Sequence, residues 1–229
     1  MGTVFASGLA SVGSYLQSVF EDFGSISSTV WIVICALVLC AALVLLITRS
    51  RRMWTTRMLV FAALSLALSF VLSYIRIIHL PQGGALTPGS MLPVMLFAYV
   101  FGTIPGLVVG VAYGLLQLLQ EMMIVHPVQL LLDYFLGFGV LGLAGLFRKQ
   151  KLLWPGVLIA GFGRFLCSFT SGIVFYGAYA PEGVPVWLYS LGYNGSTIGL
   201  DTLICVVIAL IPALKKQVDL MRNNLLQGR

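Results

Sequence analysis

Long apolar runs alternate along the chain with short stretches that carry most of its prolines and basic residues. An apolar run of roughly 20 residues is long enough to cross a bilayer as a helix. The run 91–102 is short for a full crossing and lies among Pro88, Pro93 and Pro105, so we expect it to be tilted or broken. The candidate spans are 29–48, 57–79, 91–102, 106–123, 127–146, 155–178 and 187–213.

The composition supports a membrane protein. Hydrophobic residues make up 59% of the 229 positions and charged residues 9%, whereas about a quarter of the residues in a soluble domain are charged. A soluble globular protein is thereby excluded. We predict an all-α integral membrane protein with a six-helix bundle at 57–213 and one additional transmembrane helix at 29–48. Residues 1–28 are an external segment and a candidate interfacial helix, and 214–229 are a basic cytoplasmic tail.

The basic residues indicate the orientation in the membrane. Eleven of the thirteen Lys and Arg residues lie in three places: before the second run, after the fifth and in the tail. They are Arg49, Arg51, Arg52, Arg57, Arg148, Lys149, Lys151, Lys215, Lys216, Arg222 and Arg229. Cytoplasmic loops carry an excess of Lys and Arg. Seven crossings place all three groups on the cytoplasmic side, which predicts an external N-terminus and a cytoplasmic C-terminus.

Four ionisable residues, Arg76, Asp133, Arg164 and Asp201, lie inside the apolar runs or near their ends. Each costs about 2.5–3.5 kcal/mol at the centre of a membrane helix on insertion scales, so such residues face a protein interior or a wet cavity. Arg76 is near the end of its run, where a long side chain can reach the interface. Asp201 is a candidate for hydrogen bonding between helices.

Asp133 is followed directly by Tyr134. A carboxylate beside an aromatic ring suits an organic cation, because the carboxylate supplies the opposite charge and the ring face attracts a quaternary nitrogen. An alternative is that Asp133 pairs with Arg164 only to hold helices together. Arg164 and Ser168 are four residues apart and therefore share a helix face.

Aromatic and small residues suggest two further surfaces. Tyr176, Tyr189 and Asn194 lie near the external ends of the last two runs. Trp187 and Tyr193 lie in the same region, and for these two a plain interfacial belt of aromatic residues is the alternative to a binding site. Ala63 and Ala67 are four residues apart, and small residues at that spacing let another helix approach closely. Packing within the protein and docking of a partner are both open for this pair.

Motifs for catalysis are missing from the sequence. There is no HExxH, no GxSxG and no phosphate-binding GxxxxGK[ST], which argues against an enzyme and assigns any use of ATP to partner subunits. The four cysteines lie within apolar runs and form no CxxC pair. We expect them to be packing residues, and we expect no metal or cofactor in this chain.

Several blocks in the same order together resemble the thiamine-specific substrate-binding subunits (S components) of energy-coupling-factor (ECF) transporters. The blocks are LPQGGALTPGSMLPVMLFAYVFG, YGLLQLLQ, HPVQLLLDYFLGFGVLGLAGLF and GAYAPEGVPVWLYSLGYNGS. The resemblance runs from about 57 to 213. It implies a six-helix protein of a prokaryotic plasma membrane that binds thiamine near the external surface. It also implies assembly with a transmembrane coupling subunit and two ATPases, and no interaction with nucleic acid.

The resemblance also implies roles for individual residues. The ligand-contacting positions are Asp133, Tyr134, Arg164, Tyr176, Tyr189 and Asn194. Ser168 stands where the family pattern has a His, so a thiamine precursor, either the pyrimidine or the thiazole half, is an alternative ligand. Ala63 and Ala67 correspond to the motif that docks the coupling subunit. A non-transport membrane assembly protein is the alternative from a different class.

Overall fold

The computed structural model describes residues 54–120 and 126–227. Within these ranges the chain is almost entirely helical. The longer helices are α1 (Thr56–Tyr74), α2 (Leu92–Phe101), α3 (Thr103–Gln120), α4 (Pro127–Arg148), α5 (Leu153–Phe175), α6 (Val186–Leu210) and α7 (Pro212–Gln227). Two short strands, β1 (Ile78–His79) and β2 (Ala85–Leu86), form an antiparallel pair. The predicted elements at 1–28 and 29–48 lie outside the described residues.

Five of the helices, α1, α3, α4, α5 and α6, are long and apolar enough to cross a membrane. The helix α2 has ten residues and is too short for a full crossing at 1.5 Å per residue. The predicted all-α membrane fold is confirmed. The prediction of a tilted or broken segment at 91–102 corresponds to this short helix.

Prolines and a glycine set several helix boundaries. Pro93, Pro127 and Pro212 lie in the first turns of α2, α4 and α7, where a missing backbone N–H costs nothing. Gly102 separates α2 from α3 with a φ of 108°, a conformation that favours glycine. Thr55 caps α1 by accepting a hydrogen bond from the Met58 backbone N–H at 3.3 Å.

Two predicted runs end earlier than expected. The run 57–79 was predicted to be one span, but α1 ends at Tyr74 because the residues that follow pair as β1 with β2. The run 187–213 ends as a helix at Leu210, before Pro212. The chain then continues as α7, so most of the predicted tail is helical.

By its contacts the chain divides into two compact units. Residues 126–129 are the described part of the smaller unit, where the Val128 backbone N–H donates to His126 Nδ1 at 3.2 Å. The larger unit contains the other described residues, 54–120 and 130–227.

The core of the larger unit is built around α2. Eight of its ten residues are buried, and the side chains of Val94, Met95 and Tyr99 have no exposed surface. By contrast, α1 leaves large apolar side chains uncovered, and Leu64 and Val71 are each about 60% exposed. Apolar residues that face outward at this density suit a lipid environment or a partner helix.

A row of glycines lets α3 approach α4 closely. A methyl group on Gly110 would run into the backbone carbonyl of Phe138, and one on Gly114 into that of Tyr134. This close approach fixes the distance between α3 and the part of α4 that carries Asp133.

Charged residues join α7 to the ends of α2 and α4. The buried Arg222 donates from Nη1 to the Tyr99 hydroxyl at 3.1 Å and to the Arg148 carbonyl at 2.9 Å. The Tyr99 hydroxyl donates to Asp219 at 3.0 Å. We call Tyr99, Arg148, Asp219 and Arg222 the inner-end cluster. It brings two of the predicted cytoplasmic basic groups to the same end of the molecule.

Candidate functional site

Asp133 lies in a widened turn of α4. Residues Leu131–Leu136 form a π-helical turn, a local structure that is frequent at functional sites. Asp133 Oδ2 accepts a hydrogen bond from Ser171 Oγ of α5 at 2.9 Å. Ser171 is fully buried and Asp133 is half-buried. The carboxylate is therefore oriented by a neighbouring helix while part of the residue remains accessible.

Aromatic side chains lie in the neighbourhood of this carboxylate. The Tyr134 ring stacks on Phe138 with 6.4 Å between centroids. Tyr176, just after α5, interacts electrostatically with both Asp133 and Tyr134, and its ring lies 5.8 Å from that of Tyr179. Burial, reinforced by the nearby carboxylate, raises the pKa of Tyr176. Its hydroxyl is therefore protonated at neutral pH and able to donate a hydrogen bond.

Tyr189 and Tyr193 lie on α6 with their rings 6.0 Å apart. The Tyr193 hydroxyl donates to the Pro81 carbonyl and accepts from the Gly84 backbone N–H at 2.7 Å. The turn between β1 and β2 is thus fastened to α6. Tyr189 also lies within electrostatic range of Tyr179, so it belongs to the same aromatic group as Tyr176.

Asn194 joins α5 to α6 through its buried side chain. Its amide nitrogen donates to the Ser168 carbonyl at 3.3 Å and to the Ser190 carbonyl at 3.0 Å. Ser190 Oγ in turn donates to the Phe169 carbonyl at 2.8 Å. Ser168 thus contributes its backbone to the helix contact. Ligand contact by Asn194 and by Ser168 stays a prediction.

Arg164 packs on an aromatic ring. Its guanidinium carbon lies 3.4 Å from the centroid of Phe138, and it interacts electrostatically with Asp133 and Asp201. Its Nε and Nη1 are buried and have no hydrogen-bond partner among the described residues. Within 54–120 and 126–227, Arg164 lies over Phe138 and no Asp133–Arg164 salt bridge is formed.

Asp201 has a structural role between α6 and the turn before α2. It is buried and accepts from the Thr87 hydroxyl at 3.0 Å and from the Gly89 backbone N–H at 2.9 Å. This agrees with its interpretation as a residue that hydrogen-bonds between elements. Arg76 lies near the strand pair, where Nη1 is 3.1 Å from His79 Nδ1.

Sequence reasoning missed Ser171. In the sequence, Ser168 was the candidate hydroxyl on this helix because it occupies the position of the family's His. The residue that contacts Asp133 is instead Ser171, three positions later. The sequence contained a pattern that could have identified it. Ser171 is seven residues, or two helical turns, from Arg164 and therefore lies on the same face of the helix.

Ala63 and Ala67 lie on the exposed side of α1. Leu64 and Leu68 beside them are also exposed. Packing among the described residues of the larger unit leaves this pair exposed, and docking of a partner by it stays a prediction. In the described part of the chain no three His, Cys, Asp or Glu side chains come together as a metal site.

Comparisons with known proteins agree with one another. The sequence model of the thiamine transporter protein family (Thia_YuaJ) matches residues 59–221. The chain is 35% identical over 146 residues to the thiamine transporter ThiT of Bacillus subtilis (strain 168), a match that covers 57% of this chain and 76% of the relative. It is 29% identical over 169 residues to ThiT of Lacticaseibacillus paracasei, covering 65% and 81%.

The fold is similar to a solved structure of ThiT from Listeria monocytogenes. The TM-score is 0.58 at 23% sequence identity, and the match covers 69% of this chain and 96% of that one. At this level of sequence identity, the structural similarity supports the helical fold alone.

Proposed function

The chain belongs to the thiamine transporter protein family, whose members are transport proteins rather than enzymes, and from this premise we propose that it is a thiamine-binding S component of an ECF-type uptake transporter. It captures thiamine at the external side of a prokaryotic plasma membrane and carries out no chemistry itself. The observation that carries the proposal is the Asp133 carboxylate, hydrogen-bonded by Ser171 and with Tyr134 and Tyr176 nearby.

This site suits a flat organic cation. The thiazolium ring of thiamine carries a fixed positive charge, so Asp133 neutralises it without any proton transfer. Tyr134 and Tyr176 provide aromatic faces, which attract such a cation by about 0.5–2 kcal/mol each. Tyr189, Ser168 and Asn194 complete the set of proposed ligand contacts, and Arg164 contacts the part of the ligand remote from the positive charge.

Isothermal titration of the purified chain in detergent with thiamine tests this function. We expect saturable binding with one site per chain. Absence of binding at micromolar thiamine would contradict the ligand assignment and leave the family membership intact.

A thiamine precursor is the second candidate ligand, because Ser168 is a short hydroxyl where the family pattern has an imidazole. Competition with the separate pyrimidine and thiazole halves distinguishes the two. If the intact vitamin displaces a bound half at much lower concentration, thiamine is the substrate. If one half binds as tightly as thiamine, the precursor is the substrate.

Transport requires partners that supply energy. We propose that the exposed face around Ala63 and Ala67 docks a transmembrane coupling subunit, which connects the chain to two ATPases. The small side chains support this because they allow a partner helix to approach closely. Copurification from the native membrane tests it: recovery of ATPase subunits with the chain is expected.

A further inference from the structure

A tight turn between α4 and α5 carries two exposed lysines. Lys151 has a φ of 56°, and its backbone N–H donates to the Arg148 carbonyl at 3.4 Å. The Leu152 backbone N–H donates to the Phe147 carbonyl at 3.4 Å. These two bonds around a left-handed residue form a Schellman motif, which ends a helix. The turn therefore has a defined backbone, and Lys149 and Lys151 are exposed on it.

The helix α7 is held beside this turn by polar contacts. Arg222 Nη1 donates to the same Arg148 carbonyl at 2.9 Å. Asp219 Oδ1 lies 3.5 Å from Arg222 Nη2, and Asp219 Oδ2 lies 3.6 Å from Lys215 Nζ. This series of contacts brings the exposed Lys215 and Lys216 to the same end of the larger unit as the turn. We call the four lysines of this end the basic rim: Lys149, Lys151, Lys215 and Lys216.

The positive charge of the basic rim is poorly balanced by the protein. The turn and α7 contain one acidic residue, Asp219, and it is already shared between Arg222 and Lys215. Within 54–120 and 126–227, no ion pair includes the other three lysines of the rim. A lysine ammonium group donates hydrogen bonds and accepts none. The rim therefore suits a partner that supplies negatively charged oxygen atoms.

The basic rim lies where membrane-spanning helices end. Its two turn lysines lie between the last residue of α4, Arg148, and the first residue of α5, Leu153. The other two follow the end of α6 at Leu210 by five and six residues. Trp154 and Leu220, close to these lysines in sequence, are 44% and 46% exposed. Basic residues and tryptophan together at the ends of membrane helices are typical of the headgroup region of a bilayer.

We propose that the basic rim binds the phosphate group of an anionic phospholipid such as phosphatidylglycerol, in the leaflet that this end of the molecule faces. Basic clusters next to membrane helices attract anionic lipids. The exposed apolar side chains of Trp154 and Leu220 suit the acyl chains of a lipid, which an acidic protein surface would not supply. This proposal goes beyond thiamine uptake and does not depend on which ligand is carried.

Quenching of Trp154 fluorescence by brominated lipids tests the proposal. The full chain, with Trp31, Trp54 and Trp187 changed to phenylalanine, keeps Trp154 as its single tryptophan and is reconstituted in phosphatidylcholine bilayers. A minor fraction of brominated phosphatidylglycerol or of brominated phosphatidylcholine is then included. We expect the affinity for phosphatidylglycerol to exceed that for phosphatidylcholine by at least about fivefold, the contribution of roughly one basic residue near the surface.

Changing all four rim lysines to glutamine should bring the ratio of the two affinities to about one, within about twofold. Changing the same four to arginine is the matched control, because it keeps the charge and should keep the preference. Arg76→Gln removes a positive charge near the strand pair and should leave the ratio unchanged. At about 1 M salt, where the Debye length is about 3 Å, the preference shown by the lysine rim should decline.

Two results would overturn the proposal. One is equal quenching by the two lipids in the chain that keeps its lysines, which would favour an acidic protein surface as the partner of the rim. The other is a preference for phosphatidylglycerol that persists after all four lysines are changed to glutamine. Native mass spectrometry of the unsubstituted chain, which counts bound molecules of each lipid, checks that neither result is caused by the tryptophan changes.

Discussion

The hydroxyl of Ser171 donates to Asp133 from a position without solvent exposure. A hydrogen bond to a charged group contributes about 1.5–3 kcal/mol, and this one also holds the carboxylate in one orientation before a ligand arrives. A ligand that meets an oriented carboxylate does not have to order it on binding.

Ser171→Ala should therefore weaken thiamine binding by about tenfold or more, because the carboxylate loses a donor and its fixed orientation. Thr170→Val is the matched control, since Thr170 is exposed and, among the described residues, its hydroxyl bonds only to the Leu166 carbonyl of its own helix. Titration calorimetry on both variants measures the difference. Equal affinities in the two variants would contradict a positioning role for Ser171.

Asp133→Asn keeps the size of the side chain and removes its charge. We expect it to lower thiamine affinity by more than about tenfold, because the neutral amide no longer balances the thiazolium charge. The variant should still insert and elute as a monodisperse protein. Glu182→Gln, on an exposed loop, is the charge control and should bind like the wild type. Unchanged uptake by Asp133→Asn would instead favour a membrane assembly protein.

At the scale of elements, the glycine face of α3 determines where α4 lies. Gly114 faces the backbone carbonyl of Tyr134, one residue beyond Asp133. A helix can come this close only where the facing residue lacks a side chain. The position of the carboxylate therefore depends on a glycine of a different helix.

Gly114→Ala should lower the free energy of unfolding by about 1–3 kcal/mol, because the added methyl group forces α3 away from α4. It should also weaken thiamine binding. Gly192→Ala is the control, since a methyl group there meets nothing within 4 Å and alanine favours a helix over glycine by about 1 kcal/mol. Thermal unfolding of the two variants in detergent should shift in opposite directions.

The helices and the polar candidates were predictable because hydrophobic run length and charge position are local properties of a sequence. The strand pair after Tyr74 was not predicted, because β1 continues the apolar run of α1 in the sequence, whereas its strand conformation depends on pairing with Ala85 and Leu86 of β2. Ser171 was missed for a related reason. Its contact with Asp133 depends on α5 packing beside α4, and the sequence of one helix does not show which helix will pack against it.

At the scale of the whole molecule, the proposed binding surface and the proposed docking surface are different. The Asp133 site draws on α4, α5 and α6, whereas Ala63 and Ala67 lie on the exposed side of α1. Ala63→Trp should therefore leave thiamine affinity unchanged and abolish uptake, because the indole blocks close approach of the coupling subunit.

Val207→Trp is the control for that variant, since Val207 is exposed on α6 and lies away from the alanine pair in sequence. It should retain both binding and uptake. Radiolabelled uptake into cells, measured beside titration of the purified variants, separates the two properties. Loss of binding in Ala63→Trp would show that α1 acts on the ligand site rather than on docking.

The inner-end cluster has a consequence for how the protein is made. Arg222 follows Tyr99 by 123 residues, so α2 is synthesised well before the arginine that pairs with Tyr99. Until then the buried end of α2 lacks its guanidinium partner. The bonds between α7 and Tyr99 can therefore form only after Arg222 has been synthesised, and a chain that stops before Arg222 should be more open to proteases at that end.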